Sequence, residues 1–559
     1  MMSREPWILK LSENCFLSRI AKLTAAQRRV ALMARMYADA EFFARQALAE
    51  HCRLPFAQFH RALFAWHEAM GGPLPARRGK RHVLAAPRGC AKSTITSLLL
   101  VLHDIIFERE RYIILISATD RQARQRLRAI RRELEKPALR ELLPARSAHI
   151  SLSARSLTVG RVQVDAFGAG AEMRGLVSDG YRPTKIILDD AEASRAADSP
   201  SAREKLAEWH AEVVEHLGDV YTNILAIGTV LHEKGLIASL LRRADYEGIL
   251  VKSIEAFSHD EDSWNEWRRR LLDFSNTRRR ESARDFFLAH RTTMEAGTRV
   301  AWREKEDYEE LYAQLTLQGR RAFYQEKQNT PLGPQEALFQ PERALRALVN
   351  DGRLQIHSGE SLVRSYDAPT HHAARRFGYL DASLGKGSRT AKGDFCALAT
   401  VILLPDNSLV VESLWARRAP PTEQVARLFD AHHARPFERL AIEGTGFQEL
   451  LTIPIEEERT RRRASGHRFD LPVDVALPRR SKAARISALE PLLTSGALAL
   501  SPDLDEEFWE ELANWPRTRH DDALDAVAGA IELAMNCATR TNNDWEAGQP
   551  RSKARTSKY

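Results

Sequence analysis

No two of the chain's five cysteines form a CxxC pair: Cys15, Cys52, Cys90, Cys396 and Cys537 stand far apart. That spacing argues against a thiolate zinc site and a disulfide framework, and it suits a reducing cytoplasm. Long apolar runs are missing as well. No stretch approaches the roughly 18 uninterrupted apolar residues that a membrane span requires. The start, MMSREPWILK, has no apolar run behind its basic residues to mark a signal peptide. These absences predict a soluble intracellular protein. No internal repeat is visible.

What is present is globular in character. Apolar residues make up 44% and charged residues 28% of 559, so the bulk carries no disorder signature, and the length calls for two or three domains. A formal charge of +8 is compatible with a polyanionic partner, but many ordinary soluble proteins are as basic, so charge alone does not choose nucleic acid.

Short apolar runs at His82–Ala86, Tyr112–Ser117, Lys185–Leu188 and Asn223–Ile227 alternate with helical stretches, the pattern of a parallel sheet with helices on both faces. The reading divides the chain into a helical N-terminal region (1–55), this α/β core (56–255), a polar Arg-rich helical lid or linker (256–365), a second α/β block (366–538) and a basic tail (539–559) expected to be disordered. Asn329-Thr330-Pro331-Leu332-Gly333-Pro334 marks a break, and a second irregular region lies near Pro369.

Within the first block, Pro87-Arg88-Gly89-Cys90-Ala91-Lys92-Ser93-Thr94 follows a strand and opens a helix. This is the setting of a P-loop: backbone N–H groups cradle phosphates, Lys92 reaches the terminal ones, and the Ser93 hydroxyl ligates Mg²⁺. Ala86 and Ala91 replace the signature glycines, leaving Gly89 to supply backbone freedom. The run Lys185–Leu188 then ends in Asp189-Asp190-Ala191-Glu192, the form of a Walker B strand. Asp189 would hold Mg²⁺, while spacing leaves open whether Asp190 or Glu192 orients the attacking water. Arg88 and Arg174 are candidate charge-stabilising arginines, and Thr229 ends a strand where a γ-phosphate sensor would sit. Each of these elements alone could be an ordinary turn, cap or surface residue; the two strand-end motifs in order point to an ATPase.

The second block places acids at strand ends. Asp381 closes an apolar strand that carries Phe377 and Tyr379 on the same face, and Leu440-Ala441-Ile442-Glu443 repeats the form. An acid in that position is costly unless it meets a cation or hydrogen-bond donors. His520-Asp521-Asp522-Ala523-Leu524-Asp525 opens a helix, with Asp525 on the face of Asp521 and Asp522. Asp381, Glu443, Asp521 and Asp522 are the expected metal ligands, with Asp525 secondary and Asp394 either near the site or in a turn. Such a set would hold one or two hard cations and hydrolyse a phosphodiester. The strand–strand–strand–helix–strand order matches a ribonuclease-H-like mixed α/β nuclease. Lys482 and Arg485, one helical turn apart, are expected to face it. Basic runs at Arg268–Arg270, Arg278–Arg280 and Arg461–Arg463 could grip DNA phosphates or be solvated helix faces.

A P-loop ATPase followed by a ribonuclease-H-like nuclease resembles the large terminase subunits of tailed bacteriophages, over about residues 55–535. The resemblance rests on the degenerate P-loop, Ser117-Ala118-Thr119 with its Arg-rich helix, Met173-Arg174-Gly175-Leu176, Arg182-Pro183, Asp189-Asp190, Ile227-Gly228-Thr229, the Asn329–Pro334 linker and the acids Asp381, Glu443 and His520-Asp521-Asp522. It implies ATP with Mg²⁺ in the motor and Mg²⁺ or Mn²⁺, as two ions, in the nuclease. It also implies double-stranded DNA, a small terminase subunit and a procapsid portal as partners, a pentameric ring during packaging, and action in the cytoplasm of a bacterial host. The family further suggests an adenine contact upstream of the P-loop, for which Phe59-His60-Arg61 is the nearest candidate. Two other readings stay open: another P-loop helicase or repair nuclease, or an inactive DNA-binding prophage remnant.

Overall fold

The computed structural model describes residues 11–546 except 75, 145–149, 194–198, 273–275, 277, 332–336, 368–374, 383–395, 445–447, 467–470, 477–479 and 519. The chain forms two compact units. The first comprises Met1–Ser258, Gly297–Leu311 and Arg321–Gly333; the second comprises His259–Ala296, Tyr312–Arg320 and Pro334–Tyr559.

The first unit is built on an eight-stranded sheet of order β3-β4-β5-β2-β6-β7-β1-β8. Its strands are β1 (Arg81–Ala85), β2 (Tyr112–Ser117), β3 (Ile150–Leu152), β4 (Ser156–Val159), β5 (Val162–Gly168), β6 (Lys185–Asp189), β7 (Asn223–Gly228) and β8 (Glu247–Leu250). From β5 to β8 every pairing is parallel, and the antiparallel β3 and β4 close one edge. The central strands β2, β6 and β7 are buried along their whole length, as their unbroken apolar runs require when helices cover both faces. One strand, β7, separates β1 from β6, so the C-terminal ends of β1 and β6 lie close together on one edge of the sheet. The helices Glu13–Ile20, Ala25–Ala38, Ala40–Ala47 and Gln58–Ala69 bury Phe16, Phe43, Leu63 and Phe64 in the same core cluster as Leu99, Ile105 and Leu127. Beneath them, Lys185 Nζ donates to Asp104 Oδ2 at 2.6 Å and lies 3.1 Å from His67 Nδ1; His67 Nε2 is 2.9 Å from His103 Nδ1, and His103 Nε2 is 2.8 Å from the Met36 carbonyl. A chain ending on an acceptor carbonyl fixes both rings as neutral Nε2–H tautomers.

The second unit carries a nine-stranded sheet of order β13-β12-β11-β19-β16-β15-β14-β17-β18. After the two-stranded pair β9 (Ile254–Ala256) and β10 (Arg299–Val300) of the first unit, these strands are β11 (Leu345–Asn350), β12 (Arg353–Ser358), β13 (Ser361–Asp367), β14 (Arg375–Asp381), β15 (Cys396–Leu403), β16 (Leu409–Arg417), β17 (Arg439–Glu443), β18 (Val473–Ala476) and β19 (Leu498–Leu500). The order β16-β15-β14-β17-β18 has β14 to β16 as an antiparallel meander. β17 and β18 then add in parallel beyond β14 after the helix Pro421–Ala434. That is a ribonuclease-H-like core, as the sequence order of elements predicted. β11–β13 extend it through β19.

The stretch 256–365, read from sequence as helical, has α-helices only to Glu326, with β10 among them, then a 3-10 turn at Pro341–Arg343 and strands from Leu345 onward. Asn350-Asp351-Gly352 turns β11 back on β12 with Asp351 at φ 47° and Gly352 at φ 69°, the left-handed pair of a two-strand reversal. The tail expected to be disordered is helical to Glu546, in the helix Asp522–Glu546; residues 547–559 lie outside the described part, as do those around Pro369. No helix among the described residues is long and apolar enough to cross a membrane.

Candidate functional sites for phosphate chemistry

In the first unit the chain leaves β1 at Ala85, crosses Ala86 to Ala91 and enters the helix at Lys92. Two backbone positions make the turn: Gly89 at φ 80° and Ala91 at φ 53°. Gly89 does supply conformational freedom in the loop, and Ala91 adopts the left-handed conformation despite its Cβ, at a cost of about 1 kcal/mol. The loop is braced from behind. His60 Nε2 is 2.9 Å from the Cys90 carbonyl, and the Ala57 N–H donates to His60 Nδ1 at 3.0 Å. Burial holds the His60 pKa down at about 4 and pushes the Cys90 thiol up to about 11. Phe59 and His60 are thus part of the packing beneath the loop, with the Trp302 ring edge-on 4.6 Å from His60.

Lys92 is buried at the loop's exit, donates to Thr229 Oγ1 at 3.0 Å, and lies 3.5 Å from Asp190 Oδ1. A π-turn over Ile95–Leu99 continues the helix, and Ser93 and Ser97 both donate to the Asp189 carboxylate, at 2.5 and 2.8 Å. Arg126, from the helix Asp120–Leu134, brings its Nε to 3.0 Å from the same carboxylate. Sequence reasoning missed this arginine. Asp190, at φ 49°, turns its carboxylate to the Lys92 side, and burial raises its pKa. Glu192 points elsewhere: its carboxylate is buried against Gly235 and the helix Leu236–Leu241, and burial raises its pKa too. Arg88 pairs with Glu326 at 2.7 Å, its N–H donates to the Glu326 carbonyl, and its side chain is 57% exposed. Pro87 and Thr94 complete the loop and the first helical turn. Arg174 is 77% exposed and 3.8 Å from Glu212.

In the second unit β14 and β17 run parallel side by side, so their terminal acids Asp381 and Glu443 end together. The helix Asp522–Glu546 packs across β14 and β15 and carries Asp525 to them. Asp381, Glu443 and Asp525 offer oxygens all within 4.8 Å of one another. Burial, then the Glu443 charge, pushes the Asp381 pKa up to about 8; Asp525 is pushed up to about 7 by burial, against the pull of Arg485. Arg485 donates to Asp525 at 2.6 Å and to Glu443 at 3.2 Å, and Tyr379 donates its hydroxyl to Glu443 at 3.0 Å. Asp521 and Asp522 meet Lys482 at 2.7 and 2.5 Å. The structure therefore gathers Asp525, ranked secondary from sequence, with Asp381 and Glu443, while Asp521 and Asp522 engage a lysine. Asp394 lies outside the described residues.

Glu511, also missed in the sequence, accepts from the Leu524 N–H at 2.9 Å and is pushed up to about 7 by burial. It fixes the start of the helix that carries the acids. Five carboxylates against Lys482 and Arg485 leave an excess of negative charge, and Asp525 Oδ1 is buried without a hydrogen-bond partner. Both observations fit a site for hard divalent cations. Another grouping, His67, His103 and Asp104, already encloses the Lys185 ammonium.

The basic runs named from sequence are largely neutralised locally. Arg269 and Arg270 hold Glu266, Arg278 holds Glu281, Arg461 and Arg462 hold Glu458, and Arg268 donates to the Thr494 carbonyl at 2.8 Å.

No family model matches the chain, and no curated protein matches it. Among solved structures, the large terminase of a thermophilic bacteriophage aligns over 86% of this chain and 99% of its own, at 9% identity and a TM-score of 0.41. The human cytomegalovirus terminase nuclease domain aligns over 30% of this chain and 86% of its own, at 18% identity and a TM-score of 0.23. The large terminase nuclease of a thermophilic phage covers 35% of this chain and 97% of its own, at 17% identity and a TM-score of 0.22.

Proposed function

We propose that the chain is the large subunit of a phage terminase, an ATP-driven DNA-packaging motor that also cuts its DNA. The observation that carries the reading is the pairing, in one chain, of a phosphate loop whose lysine faces a strand-end Asp pair with a separate three-carboxylate cluster on a ribonuclease-H-like sheet.

In the motor, the N–H groups of Gly89 to Ser93 cradle the phosphates and Lys92 neutralises the terminal ones. Asp189 and Ser93 hold the Mg²⁺ that accompanies ATP. Asp190, on the Lys92 side, orients the attacking water; Glu192 faces Gly235 and serves the packing of the helix Leu236–Leu241. Thr229, hydrogen-bonded to Lys92, reports the terminal phosphate to β7.

In the nuclease, Asp381, Glu443 and Asp525 hold Mg²⁺ or Mn²⁺, which supplies Lewis-acid stabilisation of the attacking and leaving oxygens of a phosphodiester. Arg485 and Tyr379 keep the Glu443 carboxylate aimed at the cluster. Lys482 holds Asp521 and Asp522 at its rim and is placed to meet the incoming phosphate. The small terminase subunit, the portal and a pentameric ring belong to this reading as its partners and working state.

The test uses one purified sample. ATP hydrolysis and plasmid cleavage should both be present, cleavage should need Mg²⁺ or Mn²⁺, and a chelator should stop it. A sample that hydrolyses ATP and unwinds DNA but never cuts it would move the chain to a helicase; one without either activity would mark a remnant.

A further inference from the structure

Apart from Arg126, the helix Asp120–Leu134 stands outside the phosphate-loop site, yet it is the most arginine-rich helix of the first unit. Its buried face is Ala123, Leu127, Ile130 and Leu134. At 100° per residue, Arg121, Gln125, Arg128 and Arg132 fall on the opposite face within a narrow arc, and all four are exposed. The acids within reach of this helix are already engaged. Asp120 holds Arg124 and Arg155, Glu133 holds His51 and Lys136, and Glu135 holds Arg131. Among the described residues Arg121, Arg128 and Arg132 pair with no carboxylate, unlike Arg269, Arg270, Arg278, Arg461 and Arg462 of the other basic runs. The three guanidinium groups span eleven residues, or about 16 Å along the axis, a length that matches a few successive phosphates of a nucleic-acid strand.

We infer that the Arg121–Arg128–Arg132 stripe binds the phosphate backbone of duplex DNA. The inference rests on the packaging reading and assigns a grip for the DNA to the ATPase unit itself. It requires sequence-tolerant, salt-sensitive binding, because backbone charge is the same at every step. Because Arg126 of the same helix touches Asp189, the element that grips DNA and the element that holds the ATP-site acid are one rigid rod.

The experiment is fluorescence anisotropy of the full chain with a labelled short duplex, in chelator so that nothing is cut, at stepped salt. R121Q/R128Q/R132Q should bind at least about tenfold more weakly at moderate salt, and the slope of log affinity against log salt should fall by about 2 to 3, one phosphate per arginine. The triple lysine replacement should keep most of both, since a point charge suffices for a phosphate. Binding of a fluorescent ATP analogue should be unchanged in each variant, which separates a lost grip from a lost fold. An unaltered salt slope in the glutamine variant, with wild-type binding intact, overturns the stripe and leaves the packaging reading standing. Failure of the wild-type chain to bind duplex at any salt overturns both.

Discussion

Arg126 Nε stands 3.0 Å from Asp189 Oδ2, so the carboxylate proposed to hold magnesium shares its charge with a guanidinium from another element. Two hydroxyls, Ser93 and Ser97, complete its surroundings. A divalent ion arriving with ATP must compete with that guanidinium. In Arg126→Gln the competition disappears, and the Mg²⁺ concentration that half-saturates nucleotide binding should fall about threefold to tenfold, the effect of a partly exposed ion pair worth about 1 kcal/mol. Titrating Mg²⁺ against a fluorescent ATP analogue checks this; an unchanged or higher midpoint would show that the arginine acts on the nucleotide instead.

Lys92→Ala should abolish ATP turnover and leave metal-dependent plasmid cleavage in place, because Lys92 and the Asp381 cluster belong to different compact units. Wild-type ATP hydrolysis by this variant would refute the loop's assignment.

The three-carboxylate cluster makes a more discriminating demand. Asp381→Asn, Glu443→Gln and Asp525→Asn should each lower cleavage at least about a hundredfold and weaken Mn²⁺ binding, since each removes one charge from a three-carboxylate site. Asp521→Asn should be the mildest of the acid replacements, because Lys482 already holds that carboxylate at the rim. Equal cleavage by the Asp525→Asn protein and the wild type would restore Asp521 and Asp522 as the ligands. Calorimetric Mn²⁺ binding alongside plasmid nicking reads both effects.

Acid should destabilise the first unit through its buried histidines. Burial holds His60 near 4, His103 near 3 and His210 near 4, all below the ordinary value of 6.5. Each therefore contributes stability that is fully present above pH 6.5 and is lost as pH falls toward these lowered values. Each contributes about 1 kcal/mol per pH unit across that window. His60→Gln can keep both hydrogen bonds, to the Cys90 carbonyl and from the Ala57 N–H, without titrating. Its melting temperature should fall less between pH 7 and 5 than that of the wild type. Parallel acid limbs would mean that His60 is charged in the folded protein.

Strands and strand-end acids were legible because they are local: an unbroken apolar run closed by Asp or Glu marks β6, β14 and β17 without tertiary information. Asp525 was harder to place. Sequence spacing puts it on the face of Asp521 and Asp522, but the helix starts at Asp522, and one turn further in a residue points at the sheet while the first two meet Lys482. The proposed preference for Asp190 over Glu192 rests on the left-handed backbone that turns Asp190 toward Lys92, which no residue type announces. Arg126 and Glu511 reach partners outside their own elements and left no local trace, whereas the strand period already put Tyr379 on the Asp381 face without showing its bond to Glu443. The hairpin of β11 and β12 did leave one: Leu345 and Ala347, then Leu354 and Ile356, alternate on either side of Asn350-Asp351-Gly352, the pattern of two half-buried strands around a tight reversal.

Gly529 has a consequence for how tightly the proposed nuclease centre can be tuned. A Cβ there would come within 2.6 Å of three ring atoms of Tyr379, so the helix rests directly on the aromatic face with no side chain between them. Asp525 lies one turn before that point of touch, and the Tyr379 hydroxyl holds Glu443. A single methyl at 529 would therefore act as a shim, lifting one wall of the cluster away from the other while leaving every acidic group in the sequence. Cutting could be graded by shim thickness alone, through Ala, Ser and Val, with the phosphate loop of the other unit left unaltered.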